Sequence, residues 1–499
     1  MGMGMTGSVM LHRKVLAEVA RMTFQGVLVE QVPNILETVV SESGPRYRCC
    51  IHKERAVIKN RITLDVGRNV DEDICEASQR ALEGDILKSD PILNVLPEAC
   101  DRCPIDKFYV TDACRNCVAH SCIAVCPKRA IGVIQNRAYI DQEKCVECGA
   151  CKRACPFGAI IEVNRPCQRA CAVDAVVVAE DRKAKIDSEK CVECGACKVA
   201  CPFGAIADRS FIVPLINEIK AGKDVYAMVA PAFIGQFGPT ISPKKVFNAL
   251  KKIGFKGVYE VALGADMVTL FEAEEFLETV PSERKFMTTS CCPAFADLIR
   301  KHMPDFLPYM SSTTSPMVAT AEILKKDHPD SVKVFIGPCS AKKSEAKRYP
   351  DLIDYVITYE ELAALMVGAG INVAEMPEDD VDFLGSTHGS IFGRAGGVFQ
   401  AVAETIKSKN PDADLRGEKR DGLFNCKTAL LQLKAGKLDA NLFEGMACFG
   451  GCVGGPGTLM EARITTKLVD NFAKTVPYDM AEKNTLATTE VNNVDMHRK

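Results

Sequence analysis

The sequence predicts a multidomain protein of mixed α+β and α/β class, with a cysteine-rich module ahead of an α/β body. Three observations carry this. The chain has 499 residues, 47% of them apolar, enough for two to four domains with sizeable cores. Sixteen of its 25 cysteines crowd between Cys100 and Cys201. Beyond residue 208 the cysteines thin out, and short apolar runs alternate with helical periodicity, the pattern of a parallel sheet.

Residues 1–95 form a region whose role the sequence does not state. Cys49 and Cys50, in "RYRCCIHKERAVIKNRITLDVG", have no metal spacing around them, and Cys75 stands alone. All three read as structural. The stretch "ALEGDILKSDPILNVLPEAC" reads as helical and leads into the cysteine block. A net charge of −3 argues against a general nucleic-acid binder. No run of eighteen apolar residues is present, so no membrane span is expected. The opening residues lack the apolar centre of a secretory signal. Disulfide scaffolds are typically short secreted chains, whereas this chain is long and its cysteines stand two residues apart. Metal thiolates in a reducing cytoplasm are the better reading.

Residues 96–208 are expected to form one cluster-binding domain. "KCVECGACKRACPFGAI" at Lys144 recurs as "KCVECGACKVACPFGAI" at Lys190, an internal repeat with one residue changed. Cys145, Cys148, Cys151 and Cys155 form C-x2-C-x2-C-x3-C-P, as do Cys191, Cys194, Cys197 and Cys201. This is the bacterial ferredoxin run, in which three cysteines hold one 4Fe-4S cubane and the fourth holds its neighbour. Zinc sites usually pair two distant C-x2-C knuckles instead. Cys114, Cys117, Cys122 and Cys126 form a looser version. With crossed fourth ligands, Cys114, Cys117, Cys122 and Cys155 hold one cluster, and Cys145, Cys148, Cys151 and Cys126 a second. Cys191, Cys194, Cys197 and Cys171 hold a third. Cys100, Cys103, Cys167 and Cys201 remain, and only arithmetic makes them a fourth. Three to four accessory clusters are therefore expected, acting as an electron wire toward redox chemistry in the second half.

Residues 209–465 supply that second half. "DVYAMVAPAF" reads as a buried strand running into a loop, and "PKKVFNALKKIGF" as an amphipathic helix. "SVKVFIGPC" reads as a strand ending at a loop, and "KFMTTSCCPAFADLIRKHM" as strand, turn and helix. In such folds chemistry gathers at the carboxyl ends of the strands. Six cysteines remain. Cys426, on an apolar helical face, reads as core. The others lie in "TSCCPAF", "IGPCSAKKSEA" and "FEGMACFGGCVGGPG". Residues 466–499 are polar and read as a loosely held tail.

These three segments, in this order, resemble the signatures of the catalytic domain of iron-only ([FeFe]) hydrogenases, over roughly residues 210–465. The resemblance implies a two-lobed α/β catalytic domain behind ferredoxin-like modules. It implies an H-cluster, a cubane bridged to a two-iron unit with CO, cyanide and azadithiolate, which interconverts H2 with protons and electrons. Carried over by position, Cys292, Cys339, Cys448 and Cys452 would hold the cubane, with Cys452 bridging. Cys291 would pass protons, followed by Glu272, Glu275 and Ser311. The two glutamates stand three apart on one helix face. A modest shift would bring the Cys291 thiol near neutrality. Lys342 would contact a cyanide, Glu345 would orient its loop, and Ala230, Pro231, Ala232 and Met446 would line the pocket. Gly450, Gly451, Gly454 and Gly455 would let backbone approach the cluster. Partners implied are ferredoxin or a similar carrier, and maturation proteins for the two-iron unit.

Several positions depart from the family pattern and mark a divergent subclass. Gly337 stands where a methionine is usual, Phe295 where a tryptophan is common, and Met317 where a glutamine often lies. Pro456 interrupts a glycine run. Thr279 occupies the place where the proton path often ends at an arginine. Other readings are a low-turnover H2 sensor, and an iron–sulfur protein related to the nuclear prelamin A recognition factor-like assembly proteins. The intact Cys291–Cys292 pair with Lys342 weighs against the latter. A subunit for electron transfer alone leaves the later cysteine loops unexplained.

Overall fold

A computed structural model describes residues 6–44, 47–101, 103, 106–379 and 381–498. Helix α1 (Gly7–Gln25) starts at Thr6, whose hydroxyl accepts the Val9 N–H at 3.5 Å, and stops at Gly26 in the left-handed region. Its buried face, Val15, Leu16, Val19 and Met22, and helix α2 (Ile51–Asp65) share one apolar core with the sheet of the α/β body. Cys75 packs at the edge of that core, whereas Cys49 is exposed.

The helical reading of residues 81–100 is not what forms. The helix there ends at Leu82, Gly84 turns with φ +84°, and the chain becomes strand β1 (Leu93–Val95). Pro91 and Pro97, which cannot supply helical N–H donors, bracket that strand.

The cysteine block folds as two like modules, one inserted in the other. β2 (Phe108–Val110) pairs antiparallel with β5 (Ile160–Glu162) and encloses the hairpin of β3 (Ile131–Ile134) and β4 (Arg137–Ile140). In the outer module β1 pairs antiparallel with β8 (Ile206–Asp208), around the hairpin of β6 (Val176–Val178) and β7 (Ala184–Ile186). The inner module therefore interrupts the outer one between Cys103 and Cys167. A buried charge cluster fixes the outer module to the body. Lys198 contacts Asp208 at 2.5 Å and Glu360 at 3.3 Å, while Lys343 reaches Asp208 at 3.1 Å and Glu361 at 2.9 Å. Arg13 of α1 joins through Glu360 at 3.0 Å. Removing one partner would leave a buried charge uncompensated, which is strongly destabilising.

The body contains two parallel sheets. One has the order β10-β9-β12-β13, with β9 (Val225–Val229), β10 (Gly257–Glu260), β12 (Val332–Ile336) and β13 (Tyr355–Ile357). The other has the order β11-β15-β14, with β11 (Met287–Thr288), β14 (Gly417–Asp421) and β15 (Leu442–Met446). β9 and β15 are buried on both faces, as parallel strands require. Between the sheets in sequence runs α3 (Val261–Thr279), buried along nearly its whole first half.

Residues 466–498 are not a loose tail. Ala481, Ala487 and Met496 are buried in the core around α3. Asn484 donates to Asp266 at 2.9 Å and to the Leu384 carbonyl at 2.7 Å, and its oxygen caps the helix Thr485–Glu490. The buried anchors are few and widely spaced, so the segment reads as polar in sequence.

Candidate functional site

The loops after β9, β11, β12 and β15 open at strand carboxyl ends into one cavity, lined by Ala230, Pro231, Ala232, Cys291, Cys292, Cys339, Lys342, Met446, Cys448 and Cys452. The sequence-predicted site residues of the body thus meet where parallel sheets put chemistry. Cys292 caps helix α4 (Pro293–His302), with Pro293 at its first turn. The nearby backbone N–H groups of Ala447, Phe295 and Ala294 oppose the upward pull of burial on its pKa. Cys339 caps the short helix Ser340–Ala346. Burial pushes Cys339 up to about 11 and Cys452 up to about 12, with neighbouring thiols adding to each. Cys448 is raised well above the usual thiol value by burial and then by Cys339, Cys292 and Cys194.

Four half-buried, closely spaced thiols with raised pKa values are costly as bare thiolates and well suited to a metal, which displaces their protons. The donor set fits an iron–sulfur cubane, and the wall fits what that cubane would carry. Lys342 Nζ lies 2.6 Å from Glu345 Oε2 and 3.4 Å from the Cys291 carbonyl, a fixed positive charge at the cavity edge. A Cβ on Gly451 would meet Arg394 and Ala395 backbone at 2.4–2.6 Å, and one on Gly455 the Pro338 carbonyl at 2.7 Å. Both glycines line the cavity and let protein loops pack closely around it. At Gly337 the missing side chain leaves room for the Phe335 ring, whose atoms lie 2.6 Å from the virtual Cβ. Phe335 and Met317 both line the cavity.

Cys291 is buried beside this group. Its thiol is not brought toward neutrality as the sequence suggested: burial raises it well above the ordinary value, and the nearby Glu272 adds to that. It rests protonated. Glu272 is fully buried and pushed up to about 8 by burial and then by the charge of Glu275, against the pull of the Ser290 N–H and Ser311. The Ser290 N–H donates to Glu272 Oε1 at 3.2 Å, and Glu272 Oε2 is buried with no partner among the described residues. Ser311 Oγ donates to Glu275 Oε2 at 2.6 Å and Thr313 Oγ1 lies 2.8 Å from Ser311 Oγ. Burial would raise Glu275 too, but Ser311, Ser312 and Arg284 hold it below the ordinary carboxylate value. Arg284 Nη2 sits 2.8 Å from Glu275 Oε1, and its Nε donates to Thr279 Oγ1 at 2.9 Å. A guanidinium therefore stands at the outer end of the carboxylate chain after all, supplied from position 284 and buttressed by Thr279. Sequence reasoning missed Arg284, Ser290, Thr313 and Phe335. Only the arginine's charge, five residues past Thr279, offered any signal.

The cysteine modules group their thiols as the crossed pattern expects. Cys114, Cys117, Cys122 and Cys155 surround one pocket, and Cys126, Cys145, Cys148 and Cys151 another. Cys191, Cys194 and Cys171 raise the Cys197 thiol after burial does. Cys167 is pushed up to about 11, by burial and then by Cys201, Cys103 and Cys100. Cys194 feels Cys339, so the outer module abuts the thiols of the body. Cys426 lies in an apolar cluster with Phe295 and Phe443.

Thiols held in this order, leading to a buried carboxylate chain, define an iron–sulfur oxidoreductase. The family model "Iron only hydrogenase large subunit, C-terminal domain" matches residues 223–456, and "4Fe-4S binding domain" matches residues 138–161 and 184–207. A periplasmic [Fe] hydrogenase large subunit from Nitratidesulfovibrio vulgaris is 32% identical over 407 residues, 69% of this chain and 93% of the relative. Iron hydrogenase 1 of Clostridium pasteurianum is 32% identical over 64% of each chain. Cytosolic iron-sulfur assembly component 3 of Bos taurus is 26% identical over 45% of this chain and 58% of its own length. The chain belongs to the iron-only hydrogenase large-subunit family, as a divergent member.

Proposed function

We propose that this protein catalyses 2 H+ + 2 e− ⇌ H2, with electrons relayed through four accessory 4Fe-4S clusters to or from ferredoxin or a similar carrier. The observation that carries the reading is the convergence of Cys292, Cys339, Cys448 and Cys452 in one cavity, with Cys291 at its wall and Glu272 and the hydrogen-bonded Ser311–Glu275 pair close by. When bound, the H-cluster supplies the H–H bond chemistry. The four thiols would hold its cubane, and Lys342, oriented by Glu345, would hold a positive charge against its anionic ligands. Cys291 Sγ hands a proton inward and takes one back from the Glu272 carboxyl. Ser311 Oγ, hydrogen-bonded to Glu275 and close enough to Glu272 to oppose the rise in its pKa, would pass the proton to Glu275, which exchanges with solvent beside Arg284. The cavity wall of Ala230, Pro231, Ala232, Phe335 and Met446 excludes water.

The fourth accessory cluster, held by Cys100, Cys103, Cys167 and Cys201, is supported by the nested modules. The outer module repeats the ligand order of the inner one once the insertion is removed, and Cys167 feels the other three thiols. Cys167→Ser is expected to lower bound iron by about four atoms per chain, read by iron analysis of anaerobic protein. Unchanged iron content would remove this cluster.

The proposed location is the cytoplasm, whose reducing conditions keep cysteines available as cluster ligands. No helix among the described residues is long and apolar enough to cross a membrane. The two-iron unit is expected to need dedicated maturation proteins, because no ordinary side chain supplies CO or cyanide. Infrared spectra of matured, anaerobic protein test the whole reading. CO and cyanide stretches together with H2 evolution support it, and their absence favours a second reading, an iron–sulfur assembly role. That alternative draws on the similarity to the bovine assembly component.

A further inference from the structure

Residues beyond the matched family segment return to the site. The Thr314 N–H donates to the Met496 carbonyl at 2.7 Å, and the Arg498 N–H to the Ser312 carbonyl at 2.7 Å, with His497 bridged to Thr313 between them. Met496 is buried, and the His497 ring stands edge-on to Phe271 at 5.2 Å. This strand-like contact delivers the Arg498 side chain, 4% exposed, behind the cysteine pair. Its guanidinium donates from Nη1 to the Ser290 carbonyl. Nη2 lies 3.8 Å from Glu345 Oε1 and has no hydrogen-bond partner among the described residues.

Both acceptors belong to the site. Ser290 precedes Cys291, and its N–H bonds Glu272, so one residue is held by the relay on its N–H side and by Arg498 on its carbonyl side. Glu345 takes Lys342 on one oxygen and faces Arg498 with the other. We infer that Arg498 is a positioning residue: it fixes the Ser290–Cys291 turn and, by sharing Glu345, leaves Lys342 less neutralised at the cavity wall. The guanidinium fork suits this double role, since it can bond a carbonyl and face a carboxylate at once.

Only the cofactor and turnover arms of the test rest on the proposed hydrogenase reading. Amide hydrogen exchange on the full-length protein is independent of it. Arg498→Ala is expected to speed exchange of residues 288–292 by about tenfold, the scale of one lost charge-assisted hydrogen bond. In matured protein it is expected to shift the cyanide stretches, which report the Lys342 field, and to lower H2 turnover by about tenfold. Arg498→Lys keeps the charge and one donor, and should restore the cyanide stretches more fully than the exchange rate. If Arg498→Ala does not fold, Arg498→Lys alone decides: faster exchange at 288–292 supports the role, and parental exchange overturns it. Unchanged exchange in a folded Arg498→Ala also overturns it. Parental protein without CO or cyanide bands defeats the hydrogenase reading and leaves the exchange result to judge Arg498.

Discussion

Cys291→Ala is expected to cut H2 turnover by about 10²–10⁴-fold, the usual worth of a positioned proton carrier, while leaving every cluster in place. Cys291 is buried beside four thiols of a proposed cubane, yet the chain turns so that Cys292, not Cys291, stands at the N-cap of helix α4, where the backbone N–H groups of Ala447, Phe295 and Ala294 oppose the rise in its pKa. Both line the cavity, with Cys291 also near Glu272, so Cys292 can join the proposed cubane ligands while Cys291 exchanges protons. The raised Cys291 thiol does not weaken this role. A thiol that stays protonated at neutral pH always has a proton to give, and Glu272, pushed up to about 8, can return one. Cys291→Ser should fail as well, because an alkyl hydroxyl is a far poorer acid than a thiol. Cys292→Ala is the contrasting variant and should lose iron. Iron analysis and CO and cyanide bands report assembly, and H2 evolution reports turnover. An Ala variant with parental turnover ends the relay role of Cys291.

What the sequence revealed tracks how local each constraint is. C-x2-C-x2-C-x3-C runs set their ligands within a dozen residues, so the thiols around Cys145 and Cys191 were legible from spacing. The set Cys100, Cys103, Cys167 and Cys201 was reached only by arithmetic, because 63 residues separate Cys103 from Cys167, and no spacing rule crosses an inserted module. The parallel body was legible because β9 is a continuous apolar run and β12 a largely apolar one, each ending at a loop with proline, whereas β15, with Glu444 at its centre, did not read as a strand. Glu272 and Glu275 shared a helix face by period alone. Their chemistry was not legible, because it depends on Ser290, Thr313 and Arg284, which reach them from other elements. The direction of the Cys291 shift escaped for the same reason: it follows from complete burial. Residues 466–498 were misread because Asn484 and Arg498 look solvent-facing, yet each satisfies buried acceptors after a long return.

Glu272→Gln separates proton transfer from architecture, and its expected effect matches that of Cys291→Ala: turnover should fall by about 10²–10⁴-fold. The amide keeps the shape of the neutral carboxyl and can accept the Ser290 N–H, but it cannot release a proton. Stability should move the other way. The carboxyl value rises from 4.5 in the unfolded chain to about 8 in the fold, chiefly through burial. The folded state therefore binds the proton more tightly, and this contribution is fully present below pH 4.5. It is lost as the pH rises through about 8, where the buried group must ionise. Glutamine freezes the neutral form, so the variant should escape that loss. Its Tm should equal the parent's at low pH and exceed it above pH 8. Glu260, also raised by burial, titrates in both proteins and cancels in the difference. Anaerobic melting curves across pH, paired with H2 evolution, check both halves. A variant with parental turnover places the proton path elsewhere. A Tm depressed at every pH makes Glu272 a packing residue, with the lost turnover a consequence of disorder around α3.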